Sequence, residues 1–173
     1  MSIHDYIKKM PKAELHVHME GSISPETLLL IAESNKISLP FSSPEEIRKL
    51  FNFNKFRDFV RIFLMFVHCL RKPEDFSYVI YRMGAEMNRQ NIRYAEITWT
   101  PQFYLRLNFS LDIILEALNA GRHKAKAEWG VDMRWIPDLV RSVPKPMFQV
   151  QQWASNPYSR DNGVVALGLG GPE

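Results

Sequence analysis

The pattern of apolar and polar positions predicts four strands that are separated by helical segments. Residues 14–18 alternate polar with apolar side chains, whereas residues 92–99 are rich in β-branched and aromatic side chains. Residues 131–140 form a third strand, interrupted by Pro137, and residues 164–169 are a continuous apolar run. Such a run is typical of a strand that is covered on both faces, as in a parallel sheet.

The segments between these strands predict helices, because apolar residues recur at steps of three and four and capping residues precede them. Ser24 followed by Pro25 is typical of a helix start, and Ser43 with Glu46 forms a capping-box pattern. The predicted helices lie after Ser24, after Ser43, and over residues 56–70, 73–90, 111–129 and 144–154. This alternation predicts an α/β fold with a parallel sheet and right-handed crossovers.

The number of predicted strands indicates how much of a domain the chain forms. Four βα units form half of a TIM (β/α)8 barrel, whose usual length is about 250 residues. The chain has 173 residues and ends after a strand of the buried type. We therefore expect residues 1–173 to be a single partial barrel domain, the N-terminal half, truncated after the fourth strand. A complete, small open sheet is the alternative.

Composition is that of an ordinary globular protein, with 46% hydrophobic and 24% charged residues. The net charge is +3 and no five basic residues are consecutive, so no nucleic-acid partner is expected. The apolar stretch at residues 59–70 is too short to cross a bilayer, and the first residues lack the apolar core of a signal peptide. The single cysteine, Cys69, excludes an internal disulfide and a cysteine-based zinc site. We expect a cytoplasmic protein without a membrane partner.

His16 and His18 are the sharpest chemical feature, because residues two apart in a strand project from the same face. They lie at the C-terminal end of the first predicted strand, where barrel active sites are built. Neutral imidazole is the commonest metal ligand and suits zinc. A catalytic zinc takes three protein ligands plus water, so two histidines alone do not complete a site. Two partly exposed histidines without a metal are the alternative interpretation.

The residues around this pair resemble the opening of the adenosine deaminase family, a group of metal-dependent amidohydrolases built on (β/α)8 barrels. The matching sequence is KAELHVHMEGSI at residues 12–23, followed by PETL at residues 25–28. The family's second strand has a Y-x-E-x-x-x-x-P pattern, which residues 94–101 match. Its fourth strand is similar to VVALGLGGPE at residues 164–173, so the resemblance covers nearly the whole chain.

The resemblance implies roles for particular positions. His16 and His18 would bind one divalent zinc ion, and His18 would also lie beside the substrate. Glu20 matches the acidic position that binds a ribose hydroxyl, and Gly171 matches the glycine whose backbone approaches the purine ring. Glycine allows this approach because it has no Cβ.

The activity that the resemblance implies is zinc-dependent hydrolytic deamination of a purine nucleoside, with ammonia as the second product. Gly168 and Pro172 stand where the family usually has Asp, which is typical of a side branch acting on adenosine-like compounds such as aminodeoxyfutalosine or methylthioadenosine. The family's third histidine ligand, its H-A-G-E segment with the proton-shuttling Glu, and its late metal-binding Asp have no match in these 173 residues. We therefore expect this chain alone to be inactive.

Two other classes stay open. A PHP-type phosphoesterase also opens with H-x-H, although the Met19-Glu20-Gly21 that follows favours a deaminase. A non-catalytic truncated product could bind a partner or a second copy through the open edge of its sheet. His68 and His123 are interpreted as helix residues rather than ligands. The expected partner is a small purine substrate, with self-association through the sheet edge as a second interaction.

Overall fold

A computed structural model describes residues 1–53, 55–141 and 144–171 of the protein. The strands are β1 (Lys12–His18), β2 (Ile92–Trp99), β3 (Asp132–Val140) and β4 (Gly168–Gly170). The α-helices are α1 (Ile3–Lys9), α2 (Pro25–Ser34), α3 (Pro44–Leu50), α4 (Phe56–Cys69), α5 (Pro73–Arg89), α6 (Leu111–Trp129), α7 (Pro144–Ala154) and α8 (Pro157–Asp161). Short 3-10 turns cover Glu20–Ser22, Pro101–Phe103 and Leu105–Leu107.

The four strands form one parallel sheet in the order β1-β2-β3-β4. Each strand therefore lies beside its successor in the chain, with helices in every connection. Parallel neighbours need such crossovers, and this order is that of half a (β/α)8 barrel. The predicted fold class, the N-terminal half of a TIM barrel, is confirmed.

Capping residues set the starts of the helices as predicted. The Ser24 hydroxyl accepts a hydrogen bond from the Thr27 N–H at 3.2 Å, at the start of α2. Ser43 and Glu46 form the reciprocal capping box that begins α3. Helices α1 and α8 were not predicted, although Ser2 with Asp5 and Asn156 before Pro157 form helix starts of the same kind.

The side chains of β3 alternate between the two faces of the sheet. Met133 and Trp135 are fully buried on the helix side, where the Trp135 indole N–H donates to Oδ1 of Asn119 in α6 at 2.8 Å. Ile136 and Asp138 alternate with these residues and so project from the opposite face. In a barrel, the face turned away from the helices lines the interior. Asp138 therefore lies on the inner face of the sheet.

The fourth strand is shorter than its prediction. The strand is confined to Gly168–Gly170, preceded by an isolated bridge between Val164 and Trp135. Val165 and Leu167 are 51% and 40% exposed, so the expected coverage of both faces was wrong. A continuous apolar run predicts burial, whereas no described residue packs closely over these two side chains.

The outer edges of the sheet belong to β1 and β4, each of which has one strand neighbour among the residues described. An open edge offers unpaired N–H and C=O groups, so self-association at these edges stays a prediction. Across the same residues, no helix has both the length and the apolar character needed to cross a membrane.

Candidate functional site

His16 and His18 lie side by side at the C-terminal end of β1. Their ring centroids are 5.3 Å apart, with 65° between the ring planes. His16 is exposed and His18 is half-buried. Burial lowers the pKa of His18, and the charge of His16 acts in the same direction while that of Asp138 opposes it. Because metals bind the neutral ring, this arrangement suits a pair of ligands.

A register shift in β1 between Glu14 and Val17 includes the position of His16. Glu14 pairs with Ala95 and Val17 pairs with Ile97, so three steps along β1 match two steps along β2. The extra residue is that of a β-bulge, which re-aims the side chains beside it. The alternation in the sequence predicted that the two imidazoles lie together, but it did not predict this bulge.

The histidine pair by itself is not a complete set of ligands for a catalytic metal ion. In the part of the chain that the structure describes, no three His, Cys, Asp or Glu side chains are grouped closely enough to hold a metal ion. Two imidazoles still fit zinc, which takes three protein ligands in catalytic sites. His68 and His123 are exposed on α4 and α6 and do not join the pair, in agreement with their interpretation from the sequence.

Glu20 follows β1 directly and is completely buried. Its Oε1 accepts hydrogen bonds from the Thr100 backbone N–H at 3.1 Å and from the Tyr104 hydroxyl at 3.0 Å. Its Oε2 has no hydrogen-bond partner among the described residues. Burial raises the pKa of Glu20 to about 7, although both hydrogen bonds act to lower it. One carboxyl oxygen is thus held by two hydrogen bonds, and the other has none among the described residues.

Asp138 is a further carboxylate near the C-terminal ends of the strands, and it was not identified from the sequence. It lies on β3 opposite Gly168 of β4 and is 7% exposed. Burial raises the pKa of Asp138, whereas the charge of His18 and the backbone N–H groups of Leu139 and Gly170 lower it. The signal that could have identified Asp138 is its position as a polar residue near the C-terminal end of a barrel strand.

Gly171 follows β4 with a φ of +93°, a backbone conformation that glycine adopts without a steric cost. Its carbonyl accepts a hydrogen bond from Nη1 of Arg141 at 2.9 Å. The Arg141 backbone N–H donates to the carbonyl of Gly170 at 3.1 Å. These bonds join the ends of β3 and β4. They hold the Gly171 peptide at the C-terminal ends of the strands, where the histidine pair also lies.

The structure brings His16 and His18 into contact, places Glu20 in the turn that follows them, and separates Gly171 from all three. His16, His18 and Glu20 lie at the end of β1, whereas Gly171 lies across the sheet after β4. All four are at C-terminal strand ends, where (β/α)8 proteins build their active sites. The chain thus has the parallel sheet of half a (β/α)8 barrel, with paired imidazoles and buried carboxylates near the C-terminal ends of its strands.

Comparison with known proteins gives the family. The model of the adenosine deaminase family matches residues 11–173, and the chain belongs to this family. The resemblance of the first and fourth strands is thereby confirmed. Relatives in the family are deaminases, which are hydrolases acting on C–N bonds, so the match favours the deaminase over the phosphoesterase interpretation.

Two curated relatives illustrate the match. An aminodeoxyfutalosine deaminase from Streptomyces avermitilis is 34% identical over 172 residues, which cover 99% of this chain and 48% of the relative. An adenine deaminase from Zymomonas mobilis is 32% identical over 138 residues, which cover 80% of this chain and 41% of the relative. The chain spans about half the length of the curated relatives it matches.

Solved structures agree on the fold. An adenine deaminase from Arthrobacter aurescens superposes with a TM-score of 0.81 at 24% identity, covering 94% of this chain and 49% of that one. An amidohydrolase from Burkholderia ambifaria with bound Zn gives a TM-score of 0.83 at 18% identity, covering 100% and 48%. At these identities, the superpositions support the fold and not a particular substrate.

Proposed function

We propose that the protein containing this chain catalyses metal-dependent hydrolytic deamination of a purine nucleoside of the adenosine type, releasing ammonia and an inosine-type product. The observation that supports this most strongly is the adjacent pair of imidazoles, 5.3 Å apart, on the first strand of an adenosine deaminase family chain. Imidazoles at a C-terminal strand end are the chemistry that a hydrolytic metal centre requires.

His16 and His18 are assigned as two ligands of one divalent zinc ion. Imidazole nitrogen suits zinc, and the lowered pKa of His18 favours the neutral ring that binds a metal. A bound zinc ion supplies a water whose pKa is lowered to about 7, which gives a nucleophile at neutral pH. A solved protein of the same fold holds Zn, which is consistent with this choice of metal.

His18, Glu20 and Gly171 are assigned as substrate contacts. The buried Oε2 of Glu20, which lacks a partner within the described ranges, supports a role in accepting a hydrogen bond from a ribose hydroxyl. Gly171 has no Cβ, so a flat purine ring can approach its backbone closely. The hydrogen bond from Arg141 to the carbonyl of Gly171 fixes the peptide against which the ring would lie.

The substrate class rests on the names of relatives. Aminodeoxyfutalosine and adenine occur in those names, and each is an adenine-type compound. The candidates to be tested are these two compounds together with adenosine and methylthioadenosine, and activity on adenine alone would contradict the nucleoside part of the proposal.

Residues 1–173 are proposed as the first half of the catalytic barrel domain. This portion contributes two imidazole ligands and substrate contacts, and by itself it is expected to be inactive because zinc hydrolases need a third protein ligand. A cytoplasmic location and the absence of nucleic-acid and membrane partners stay predictions from the sequence.

The test uses the protein expressed from its complete coding sequence, stripped of metal with a chelator and then supplied with Zn²⁺. We expect ammonia release from at least one of the four compounds, dependent on the metal, with the deaminated product identified by chromatography. Zinc-loaded, folded protein that releases ammonia from none of them would contradict the proposal. Phosphate release from phosphoesters without any ammonia release would favour the phosphoesterase instead.

A further inference from the structure

The carboxylate of Asp138 has no role in the function proposed above. The residue is 7% exposed, and its Oδ1 has no hydrogen-bond partner in the ranges that the structure describes. Leaving a buried acceptor without a partner costs free energy of folding, and native proteins rarely do so. A carboxylate oxygen left free on the inner face of a barrel sheet is therefore a candidate for binding a ligand.

Two glycines of β4 make room for this carboxylate. An ideal Cβ at Gly170 would lie 2.8 Å from Oδ2 of Asp138, and one at Gly168 would lie 3.3 Å from Oδ1. Positive φ angles occur at other described glycines but at neither of these, so the backbone conformation does not require glycine there. The close approach of the Asp138 carboxylate favours glycine at both positions, because a Cβ at either one would push the carboxylate aside.

Asp138 and His18 face the same side of the sheet. His18 pairs with Thr98, and Thr98 pairs with Ile136. Ile136 and Asp138 are two residues apart on β3, so they share a face. Two strand spacings, about 9 to 10 Å in total, separate the backbones of β1 and β3. The histidine pair and Asp138 therefore lie on the same face of the sheet, on either side of β2.

We propose that Asp138 is a substrate-binding residue, which accepts a hydrogen bond from an N–H or O–H group of the purine-type substrate on the side of the site opposite His16 and His18. This inference rests on the proposed function and adds a specificity determinant to it. An ionised carboxylate is an acceptor only, so Asp138 selects compounds that present a donor at this point. Its place beside Gly170 puts it next to the peptide of Gly171 that is assigned to the purine ring.

The experiment compares wild type with Asp138→Asn, both zinc-loaded and expressed from the complete coding sequence. The substrates are the best adenine-type compound and analogues of it that each lack one donor, either a ribose hydroxyl or a ring N–H. For the parent compound we expect kcat/KM to fall about 10- to 100-fold, because a hydrogen bond to a charged group is lost. For the one analogue that lacks the partner donor, wild type and variant should differ by less than about two-fold. That analogue identifies the donor as belonging to the sugar or to the ring.

Two further variants keep the test independent of how Asp138→Asn folds. Gly170→Ala should reproduce the same selective loss, because its new Cβ displaces the carboxylate, and Gly168→Ala should do so more weakly. The matched control is Asp132→Asn at the opposite end of β3, where Asp132 pairs with Lys126 and Arg134. The control should leave the pattern across the analogues unchanged.

A second readout is the dissociation constant of the deaminated product, measured by calorimetry, which does not depend on turnover. The inference is overturned if Asp138→Asn keeps its zinc and loses activity equally on every analogue, or loses none. If the wild type deaminates the parent compound and only these differences are missing, the inference alone fails. If the wild type neither deaminates nor binds any of the compounds, the inference and the proposed function fail together.

Discussion

The hydroxyl of Tyr104 donates a 3.0 Å hydrogen bond to Oε1 of Glu20, across 84 positions of the chain. Tyr104 is itself fully buried, with its ring 4.8 Å from that of Phe76 and 6.4 Å from that of Trp99. The segment after β2 is thus tied to the turn after β1. The carboxyl group of Glu20 therefore receives this hydrogen bond from a residue of the aromatic core rather than from water.

Removing this hydroxyl tests how much the contact contributes. Tyr104→Phe should lower the free energy of unfolding by about 1 to 3 kcal/mol, because it deprives a buried carboxyl group of a donor. The matched control is Tyr158→Phe, which removes a 3.0 Å hydrogen bond from an exposed tyrosine to Glu116 and should cost less than about 0.5 kcal/mol. Urea denaturation measures both variants. Equal losses would show that burial of Glu20 adds nothing to the value of its hydrogen bond.

The close packing of α5 on α6 gives a prediction with a change of sign. A Cβ at Gly84 would lie 2.5 Å from the Cβ of Ala125 and 3.1 Å from Cε of Met133. Gly84→Ala should therefore destabilise the protein by about 1 to 3 kcal/mol, although alanine favours a helix. In an Ala125→Gly background the same change should stabilise it by about 0.5 to 1 kcal/mol. Thermal or urea unfolding of the four proteins checks this, and a destabilisation of similar size in both backgrounds would contradict it.

Cys69 is expected to be inert in the native protein. Burial raises the pKa of its thiol to about 11, and the thiolate is the reactive form. At pH 8, native wild type and native Cys69→Ala should expose the same number of thiols to a chromogenic disulfide reagent. In denaturant the wild type should expose one more. One extra reactive thiol in the native wild type would contradict the assignment of Cys69 to the core.

The sequence pattern alone predicted the features that depend on residues close together in the chain. The cap at Ser24 follows from its own helix start, and the pairing of His16 with His18 follows from the two-residue period of a strand. The half-barrel also followed from the order of strands and helices, since parallel neighbours require crossovers.

The features that the sequence did not reveal depend on distant partners. The bulge between Glu14 and Val17 exists only relative to the register of β2, and the role of Tyr104 depends on a residue 84 positions away. The position of Asp138 near a strand end was visible in the sequence, but its burial against Gly168 and Gly170 of β4 was not. The length of β4 was overestimated because an apolar run predicts burial, whereas burial depends on what packs against the strand.

The measurement that tests the central claim most directly is zinc content together with ammonia release in His16→Ala, His18→Ala and His123→Ala, each made in the complete protein. The account predicts one zinc ion and full deaminase activity in wild type and in His123→Ala, whose histidine is exposed on α6. In His16→Ala and His18→Ala it predicts loss of most of the zinc and a fall in ammonia release of more than about 100-fold. Full zinc content and undiminished deamination in either of these two variants would contradict the account.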